Sequence, residues 1–442
     1  MTRRVAARVA AVAVLVLLAT GAGAAEIHGK MRVVDGQRVL HVWGTPFEMG
    51  YAHGRWLGPE IRDLFQGYIL EFVPPAAFQV AADLMPRLFD IDPEYREEID
   101  GLLAGITESG TSTYIEELGR YLTLWDILVA NSLADLRGMA CSSISAWGDA
   151  TADDPTLAGR IALARDLDWT LAGSDKYLLS RGTVVIAYSP SDPQRQEVVS
   201  VGFPGFIGCL SCMNAAGVVS TQNQAHFGST ILEGLDWNGP FQPINLVLRA
   251  ALEKRDVDGD GISTIADLVQ AVADHPRSGK YVVHAIQPDD GRTDLPAEII
   301  EADNGGMTVR YPAATPEFGP DLMIVTNHFL LLHPPVYCKR YHRMTEVVTE
   351  RKSRFTLDAM WDLERQVMQD WWGSTTIHTM LFVPDFRVLT VAYSDDAALA
   401  GNAQPAVLAW EDLFPAEDES PPPAGGSGPG EGHHERRSGC GG

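Results

Sequence analysis

The segment Met139-Ala140-Cys141-Ser142-Ser143-Ile144-Ser145-Ala146-Trp147-Gly148 sets a thiol at the start of a predicted strand, directly after a stretch of helical periodicity. A turn-rich stretch at 148–155 follows, and the next predicted strand ends in Arg165-Asp166-Leu167-Asp168-Trp169. Two strands joined in this way predict an antiparallel hairpin that carries a cysteine on one strand and charged residues on the other.

The register of the hairpin is predicted from the position of its turn. A turn centred near Asp153 pairs Cys141 with about Arg165 and brings Asp168 within three residues of the thiol. A cation beside a thiol lowers its pKa, and a carboxylate there can hold an amine or orient a substrate. The local pattern also allows a second interpretation, in which Cys141 is a buried apolar residue and Arg165 and Asp168 form a plain ion pair.

The remaining pattern mixes strands and helices in runs, which favours α+β layers over alternating βαβ units. Strands are predicted at 39–43, 161–164, 183–188, 197–201, 218–222, 281–286, 297–301, 307–311, 322–326, 375–383 and 387–394. Helices are predicted at 45–67, within 94–137, and at 243–255, 264–274 and 339–350.

Both ends of the chain differ in composition from the middle. Residues 1–8 carry three arginines, residues 9–19 are all apolar and residues 21–25 are small, which is typical of a secretory signal peptide over 1–24. An uncleaved N-terminal anchor is the alternative. Residues 416–442 are rich in Pro, Gly, Glu and Ser and predict a disordered tail. One domain is expected at 25–415, in a secreted or periplasmic protein.

Composition excludes several classes of function. The net charge of −24 disfavours nucleic acid as a partner. No apolar stretch after the first segment is long enough to predict stable membrane insertion once that segment is removed. The sequence has no Gly-x-Ser-x-Gly elbow, no His-Glu-x-x-His and no phosphate-binding glycine loop, so serine hydrolases, zincins and nucleotide enzymes lack support.

Six segments, in order along residues 40–395, carry a further signal. They are Gly44-Thr45-Pro46-Phe47-Glu48-Met49-Gly50-Tyr51-Ala52-His53-Gly54, Cys141-Ser142-Ser143, Ala164-Arg165-Asp166-Leu167-Asp168-Trp169, Met213-Asn214-Ala215-Ala216-Gly217, Thr326-Asn327-His328-Phe329 and Cys338-Lys339-Arg340-Tyr341. Together they resemble the autoproteolytic acyltransferase/hydrolase family typified by the fungal acyl-coenzyme A:6-aminopenicillanic acid acyltransferase (peptidase family C45), within the N-terminal-nucleophile hydrolases.

The resemblance implies a four-layer αββα sandwich and a self-processing precursor. Cys141 would attack the carbonyl of Ala140, so that the chain is cut into segments 25–140 and 141–415. The new α-amine of Cys141 titrates near pH 8, which suits a general base for its own thiol. The thiol would then form an acyl-enzyme with a small acylated amide or ester, and catalysis would need no cofactor.

The other implied roles fall on five residues. Arg165 would lie next to the thiol, and Asp168 would hold the α-amine or the scissile nitrogen. Asn327 would donate to the oxyanion, with Asn223 as a second candidate, and Arg340 would be the distal arginine. The chain departs from the family pattern at Ala140, which is often Gly, and at Cys338, which is usually Ser. The Cys141–Asp168 spacing is also longer than expected, and Arg343 competes with Arg340.

A second motif at 256–267 predicts a calcium loop between two helices. Oxygen ligands recur at Asp256, Asp258 and Asp260, with a backbone carbonyl expected at Ile262 and the last carboxylate at Asp267. Because position 12 is Asp and the motif occurs once, we expect a structural calcium clip rather than a cohesin-binding module. An acidic, solvated turn is the alternative.

The sequence leaves further alternatives open. Cys209 and Cys212 are three residues apart, and a disulfide between them requires a turn. The function could also be that of a phospholipase-B-like lipid acyl hydrolase, or of a catalytically silent, calcium-binding exported protein on the same scaffold.

Overall fold

The computed structural model describes residues 26–133, 140–169, 175–225, 239–371 and 374–415. The predicted signal peptide and the predicted tail at 416–442 lie outside these ranges. Within them, no helix combines the length and the apolar character that crossing a bilayer requires.

Nine strands form the first sheet, in the order β1-β2-β7-β8-β9-β10-β11-β12-β13. Neighbouring strands are antiparallel, except that β2 and β7 are parallel. The strands are β1 Gly29–Val34, β2 Gln37–Gly44, β7 Val184–Pro190, β8 Val198–Gly202, β9 Ser211–Asn214, β10 Val219–Gln224, β11 Tyr281–Ile286, β12 Ala297–Asp303 and β13 Gly306–Arg310.

Seven strands form the second sheet, in the order β14-β5-β6-β16-β17-β18, with β15 paired to β16. They are β5 Ala140–Ala146, β6 Ala162–Trp169, β14 Leu322–Val325, β15 Asp370–Trp371, β16 Ser374–Val383, β17 Val388–Tyr393 and β18 Ala406–Leu408. A separate two-stranded hairpin joins β3 Tyr114–Ile115 to β4 Arg120–Tyr121.

The described α-helices flank these sheets. They are α1 Pro46–Leu64, α2 Leu70–Phe72, α3 Pro75–Leu88, α4 Pro93–Glu108, α5 Leu124–Asn131, α6 Leu178–Arg181, α7 Ile244–Glu253, α8 Ile265–Asp274, α9 Lys339–Glu350, α10 Leu357–Val367 and α11 Trp410–Leu413. A π-helical turn, Phe65–Ile69, follows α1 directly.

Four layers follow from how the apolar side chains pack. Cys141 and Leu167 of the seven-stranded sheet share one buried cluster with Val199 and Met213 of the nine-stranded sheet, so the two sheets stack face to face. Helices α1, α4 and α5 cover one part of the outer face of the nine-stranded sheet, and α7 and α8 cover another. Helices α9 and α10 cover the outer face of the seven-stranded sheet. The predicted αββα sandwich is therefore confirmed.

Close packing of α1 on α4 explains the glycines at positions 50 and 54. Thr45 and Glu48 form a reciprocal capping box that starts α1. A Cβ atom added at Gly50 would lie 1.9 Å from the Glu98 carbonyl oxygen, and one at Gly54 would lie 2.1 Å from the Leu102 carbonyl oxygen. Glycine at both positions is what allows the two helix backbones to touch.

The hairpin register differs from the sequence prediction by two residues. Cys141 pairs with Leu167, Ser143 pairs with Arg165 and Ala140 pairs with Asp168. The observed pairs are centred at residue 154, one residue beyond the predicted centre, so every pair is shifted by two residues. The predicted pairing of Cys141 with Arg165 is thus wrong, although the two side chains still meet.

The helices and strands differ from the sequence prediction in two other respects. The periodic stretch 94–137 contains two described helices, α4 and α5, separated by the β3–β4 hairpin. Helices α3 and α10 and strand β1 were not predicted, although the buried residues of α10, Ala359, Met360, Leu363 and Val367, recur at helical spacing.

Candidate active site

The thiol of Cys141 lies between the two sheets and has no exposed surface. Arg165 Nη2 donates to Cys141 Sγ at 3.3 Å, and the carbonyl oxygen of Gln222 lies 3.9 Å from the same sulfur. Because this contact is made by the backbone carbonyl of Gln222, no side-chain motif in the sequence could predict it.

Arg165 is fully buried, and groups of the opposite sheet fix its guanidinium. Nη1 donates to the Leu210 carbonyl and, at 2.6 Å, to Ser211 Oγ. Nη2 donates to the Gln222 carbonyl at 2.5 Å as well as to the thiol. Burial raises the pKa of the Cys141 thiol, and the charge and hydrogen bond of Arg165 oppose this rise. Arg165 is therefore the group in this site that favours the thiolate.

Asp168, the penultimate residue of strand β6, lies directly opposite Ala140, the residue before the thiol. Its Oδ2 accepts from Arg340 Nη1 at 2.5 Å and from Gln369 Nε2 at 3.0 Å, and its Oδ1 accepts from the Thr376 hydroxyl. Burial raises the pKa of Asp168, and the charge of Arg340 opposes that rise. The carboxylate is thus held rigidly beside the Ala140–Cys141 peptide.

Asn327 contacts the backbone of the cysteine itself. Its Oδ1 accepts from the Cys141 N–H at 2.7 Å and also from Arg340 Nη2, while its Nδ2 donates to the Gln224 carbonyl at 2.6 Å. The side-chain oxygen of Asn327 therefore faces the nitrogen that would become the α-amine after cleavage.

Arg340 links Asp168 to Asn327 through two arms of one guanidinium. Arg343, the alternative from the sequence, lies apart from the site: it pairs with Glu346 at 2.9 Å and with Gln366 at 2.6 Å. Its side chain is 41% exposed, compared with 15% for Arg340. The geometry distinguishes the two arginines, because Arg340 contacts Asp168 and Asn327 of the site and Arg343 does not.

Asn223 has a different position from the one expected of a second oxyanion donor. Its Nδ2 donates to the Thr326 carbonyl at 3.4 Å, which ties β10 to the segment that carries Asn327. Its Oδ1 is buried and has no hydrogen-bond partner among the residues that the structure describes. The β10 group that contacts the sulfur is the Gln222 carbonyl instead.

The loop after Asn327 is anchored by a residue that the sequence prediction missed. Glu301, fully buried on β12, accepts the backbone N–H groups of Leu330, Leu331 and Leu332, each at 2.9 Å, and pairs with Arg310 Nε at 3.1 Å. Only the pairing of β12 with β11 and β13 brings Glu301 to this loop, and that pairing is not visible in sequence.

An apolar cavity lies beside the thiol site. Its wall includes Trp169, next to Asp168 in the chain, and Leu210, whose carbonyl holds Arg165. The other lining residues are Ile61, Leu64, Phe65, Tyr68, Ile69, Ile127, Ala130, Asn131, Leu133, Leu179, Phe203, Pro204, Gly205 and Phe206. Such a surface accommodates an apolar group, and none of the described lining residues carries a charge.

Cys209 and Cys212 form a disulfide, with their Cα atoms 5.7 Å apart. Cys338 is the second free cysteine within the described ranges, after Cys141. Cys338 stands at the N-terminus of α9. Burial acts to raise its pKa, but hydrogen bonds from His328 and Thr326 and the charge of Arg340 lower the pKa of the thiol to about 6.

In the predicted calcium loop at 256–267, three of the five predicted ligands lie close together. Carboxylate oxygens of Asp256, Asp258 and Asp260 lie within 4.8 Å of one another, all on exposed side chains. Asp267 stands apart from this group, because its oxygens accept the N–H groups of Val257, at 2.5 Å, and of Thr264, at 2.8 Å, and so cap α8. Ile262 donates its N–H to Asp260 Oδ1 at 2.9 Å.

Comparison with known sequences gives two partial relatives and no matching family model. An uncharacterised protein of Archaeoglobus fulgidus is 25% identical over 205 residues, which is 42% of this chain and 32% of that protein. Protein dcd1B of Dictyostelium discoideum is 26% identical over 185 residues, which is 39% of this chain and 35% of that protein. The chain thus spans about a third of the length of each relative.

Three solved structures are similar at low sequence identity. The N-acylethanolamine-hydrolyzing acid amidase ortholog of Caenorhabditis elegans has a TM-score of 0.40 and 16% identity, over 55% of this chain and 93% of that chain. Penicillin V acylase from Agrobacterium tumefaciens has a TM-score of 0.37 and 12% identity, over 57% and 83%. A variant of conjugated bile acid hydrolase from Clostridium perfringens has a TM-score of 0.35 and 10% identity, over 61% and 92%.

Proposed function

We propose that this protein is an exported cysteine hydrolase or acyltransferase of the N-terminal-nucleophile type, activated by cleavage of its own Ala140–Cys141 bond. The observation that carries the proposal is the convergence of Arg165, Asp168, Asn327 and Arg340 on the two residues Ala140 and Cys141. They come from three separate stretches of the chain, and an ordinary buried cysteine has no need of them.

Self-processing begins with attack of the Cys141 sulfur on the Ala140 carbonyl carbon. The Ala140–Cys141 C–N bond breaks and a C–S bond forms, so that residue 140 is held as a thioester and the nitrogen gains a proton. Water then hydrolyses the thioester, which leaves a carboxyl group on Ala140 and a free amine and thiol on Cys141. Asn327 Oδ1, already hydrogen-bonded to this nitrogen, supports the emerging amine.

Turnover repeats the same chemistry on a substrate. The α-amine of Cys141 accepts the thiol proton, the thiolate attacks the acyl carbon, and the amine returns a proton to the leaving group. The Arg165 guanidinium stabilises the thiolate, while Asp168 and Asn327 hold the amine in place. Water or an acceptor amine then takes the acyl group from the thioester.

The apolar cavity favours a substrate whose acyl part is hydrophobic. Its walls continue to Trp169 and Leu210, next to the residues that hold the thiol site. Burial of a hydrocarbon chain there gains about 0.8 kcal/mol per methylene group. This supports either an acyl amide or, as the second candidate, a lipid acyl ester of the phospholipase-B-like kind.

The experiment is an intact-mass measurement, under denaturing conditions, of a chain without the predicted signal peptide. We expect the wild type to give two fragments that meet between Ala140 and Cys141, and Cys141→Ala to stay whole. Cys338→Ser is the matched control, because it removes the other free thiol of the described ranges, and it should be processed like the wild type. A wild-type chain that stays whole would contradict self-processing and favour the catalytically silent alternative.

Calcium is proposed as a structural ion only. Gly259 and Gly261 adopt positive φ values of 88° and 89°, and they let the loop bring Asp256, Asp258 and Asp260 together. Clustered carboxylates of this kind suit a hard divalent cation, which would offset their mutual repulsion. The ion would hold the connection between α7 and α8 and take no part in the acyl chemistry.

A further inference from the structure

Two acidic side chains lie buried behind the strand that carries the thiol. Asp166 of β6 and Glu364 of α10 are fully buried, on the outer side of the seven-stranded sheet. Ser142, the residue after the nucleophile, donates to Glu364 Oε2 at 2.6 Å. Thr379 of β16 donates to Asp166 Oδ1 at 2.6 Å. Each carboxyl group therefore has one oxygen with a hydroxyl donor.

The second oxygen of each carboxyl group is unsatisfied. Glu364 Oε1 and Asp166 Oδ2 are both buried, and neither has a hydrogen-bond partner in the parts of the chain that the structure describes. Two ionised carboxylates in this state would carry both a desolvation cost and a mutual repulsion. If one carboxyl group carries a proton on its second oxygen, that O–H can donate to the second oxygen of the other group. A single proton would then satisfy both oxygens.

We propose that Asp166 and Glu364 share one proton, and that this protonated pair positions Ser142, and with it Cys141, for the reaction. The positioning role rests on the function proposed above. The shared proton does not, because it rests on the two unsatisfied oxygens and on Ser142, which pairs with Asp166 across the hairpin and donates to Glu364.

The surrounding charges agree with a protonated pair. Burial raises the pKa of Glu364 to about 8, helped by the charge of Asp168 and opposed by the Ser142 hydrogen bond and by Arg340 and Arg165. Burial also raises the pKa of Asp166, and the charges of Glu364 and Asp168 add to this effect. The two arginines that face the pair are already engaged, Arg340 by Asp168 and Asn327 and Arg165 by the thiol and by carbonyl groups.

Loss of the shared proton would put a second negative charge between β6 and α10. Asp168, two residues from Asp166 on the same face of β6, would feel this charge directly. The repulsion would loosen the contact between Ser142 and α10 and disturb the site. The activity of the processed enzyme should therefore fall on the alkaline side as the pair ionises.

The test uses Glu364→Gln, because an amide keeps an acceptor for Ser142 and supplies a permanent N–H donor to Asp166. The first readout is the infrared C=O band of a buried protonated carboxyl group, measured near neutral pH in the Cys141→Ala background. We expect the band to lose intensity in Glu364→Gln. The control Glu301→Gln changes a buried glutamate that already accepts three backbone N–H groups and pairs with Arg310, and it should keep the band.

The second readout is the pH profile of kcat of the processed enzyme. The alkaline fall should move up by at least about one pH unit in Glu364→Gln, a tenfold change in the ionised fraction. Asp166→Asn, which changes the other partner, should give the same shift and replaces Glu364→Gln if that variant does not fold. An unchanged infrared band would overturn the shared proton. If the infrared band changes but the alkaline fall of kcat stays at the same pH, the positioning role is overturned. A chain that never processes would refute the proposed function, and the infrared result would still be valid.

Discussion

Arg340 Nη1 lies 2.5 Å from Asp168 Oδ2, and this ion pair joins the first turn of α9 to the C-terminal end of β6. The side chain of Asp168 is fully buried and that of Arg340 is 15% exposed. Because the other arm of Arg340 reaches Asn327, the pair sets the distance between the two groups that flank the nitrogen of Cys141.

Substitution of Arg340 should therefore abolish processing. Arg340→Ala leaves a buried carboxylate without its cation, and removal of one partner of a buried pair typically costs about 3–5 kcal/mol. We expect a whole chain by intact mass and a lowered melting temperature. Arg343→Ala is the matched control on the same helix, and it should process normally because its partners, Glu346 and Gln366, lie outside the site. Equal defects in both variants would contradict a specific role for Arg340.

Arg165 should control the reactivity of the thiol. Its removal takes away the cation that opposes the effect of burial, so the pKa of the Cys141 thiol should rise further. In a processed background that also carries Cys338→Ser and Cys440→Ser, Arg165→Met should alkylate more slowly with iodoacetamide at pH 7, by about tenfold for each unit of pKa.

A milder variant separates charge from anchoring. Ser211→Ala removes one hydrogen bond to the Arg165 guanidinium and leaves its charge in place, so its effect on the alkylation rate should be smaller. A rate in Arg165→Met equal to that of the parent would show that Arg165 is structural only.

The parts of the site that could be predicted are those that local sequence determines. Cys141 and Asp168 lie on two strands of one hairpin, so their proximity follows from a single turn, even though the register is shifted by two residues. Asn327 and Arg340 required the family resemblance, because they lie more than 180 residues from Cys141 and no local pattern connects them to it.

Other features could not be predicted, because they depend on pairings across the whole chain. The Gln222 carbonyl reaches the sulfur only after the two sheets stack, and Glu364 meets Ser142 only when α10 covers β5. Asp267 shows a different limit: its spacing suits a calcium ligand and a helix cap equally, and in the structure it caps α8.

The calcium proposal leads to a test that separates these two roles of the acidic loop. Calcium should raise the melting temperature of the wild type and a chelator should reverse the rise, because an ion bound to the folded chain alone stabilises it. Asp258→Asn should weaken this response. Asp267→Asn should lower the free energy of unfolding by about 1 kcal/mol, because it removes one of the two oxygens that accept backbone N–H groups, and it should keep the calcium response. A wild-type melting temperature that calcium does not change would refute the ion site.

His53 should make the stability of the protein sensitive to acid. It is fully buried on α1, and its Nε2 accepts the Gly205 N–H at 3.0 Å. Burial, together with the charge of Arg249, lowers the pKa of His53 from 6.5 to about 3. Between these values the unfolded chain binds a proton that the folded chain excludes. The contribution of His53 is thus fully present above pH 6.5, and it falls by about 1.4 kcal/mol for each pH unit below that value.

The measurement is the free energy of unfolding from urea titrations between pH 7 and pH 4. His53→Gln keeps an acceptor for the Gly205 N–H and cannot titrate, so its stability should decline less steeply with acid than that of the wild type. His342→Gln, at an exposed position of α9, is the control and should reproduce the wild-type slope. Because Glu364 and Asp166 have raised pKa values, they act in the opposite direction and stabilise the fold as pH falls. The comparison of His53→Gln with the wild type cancels that shared contribution, so identical slopes would mean that His53 is not held neutral in the folded protein.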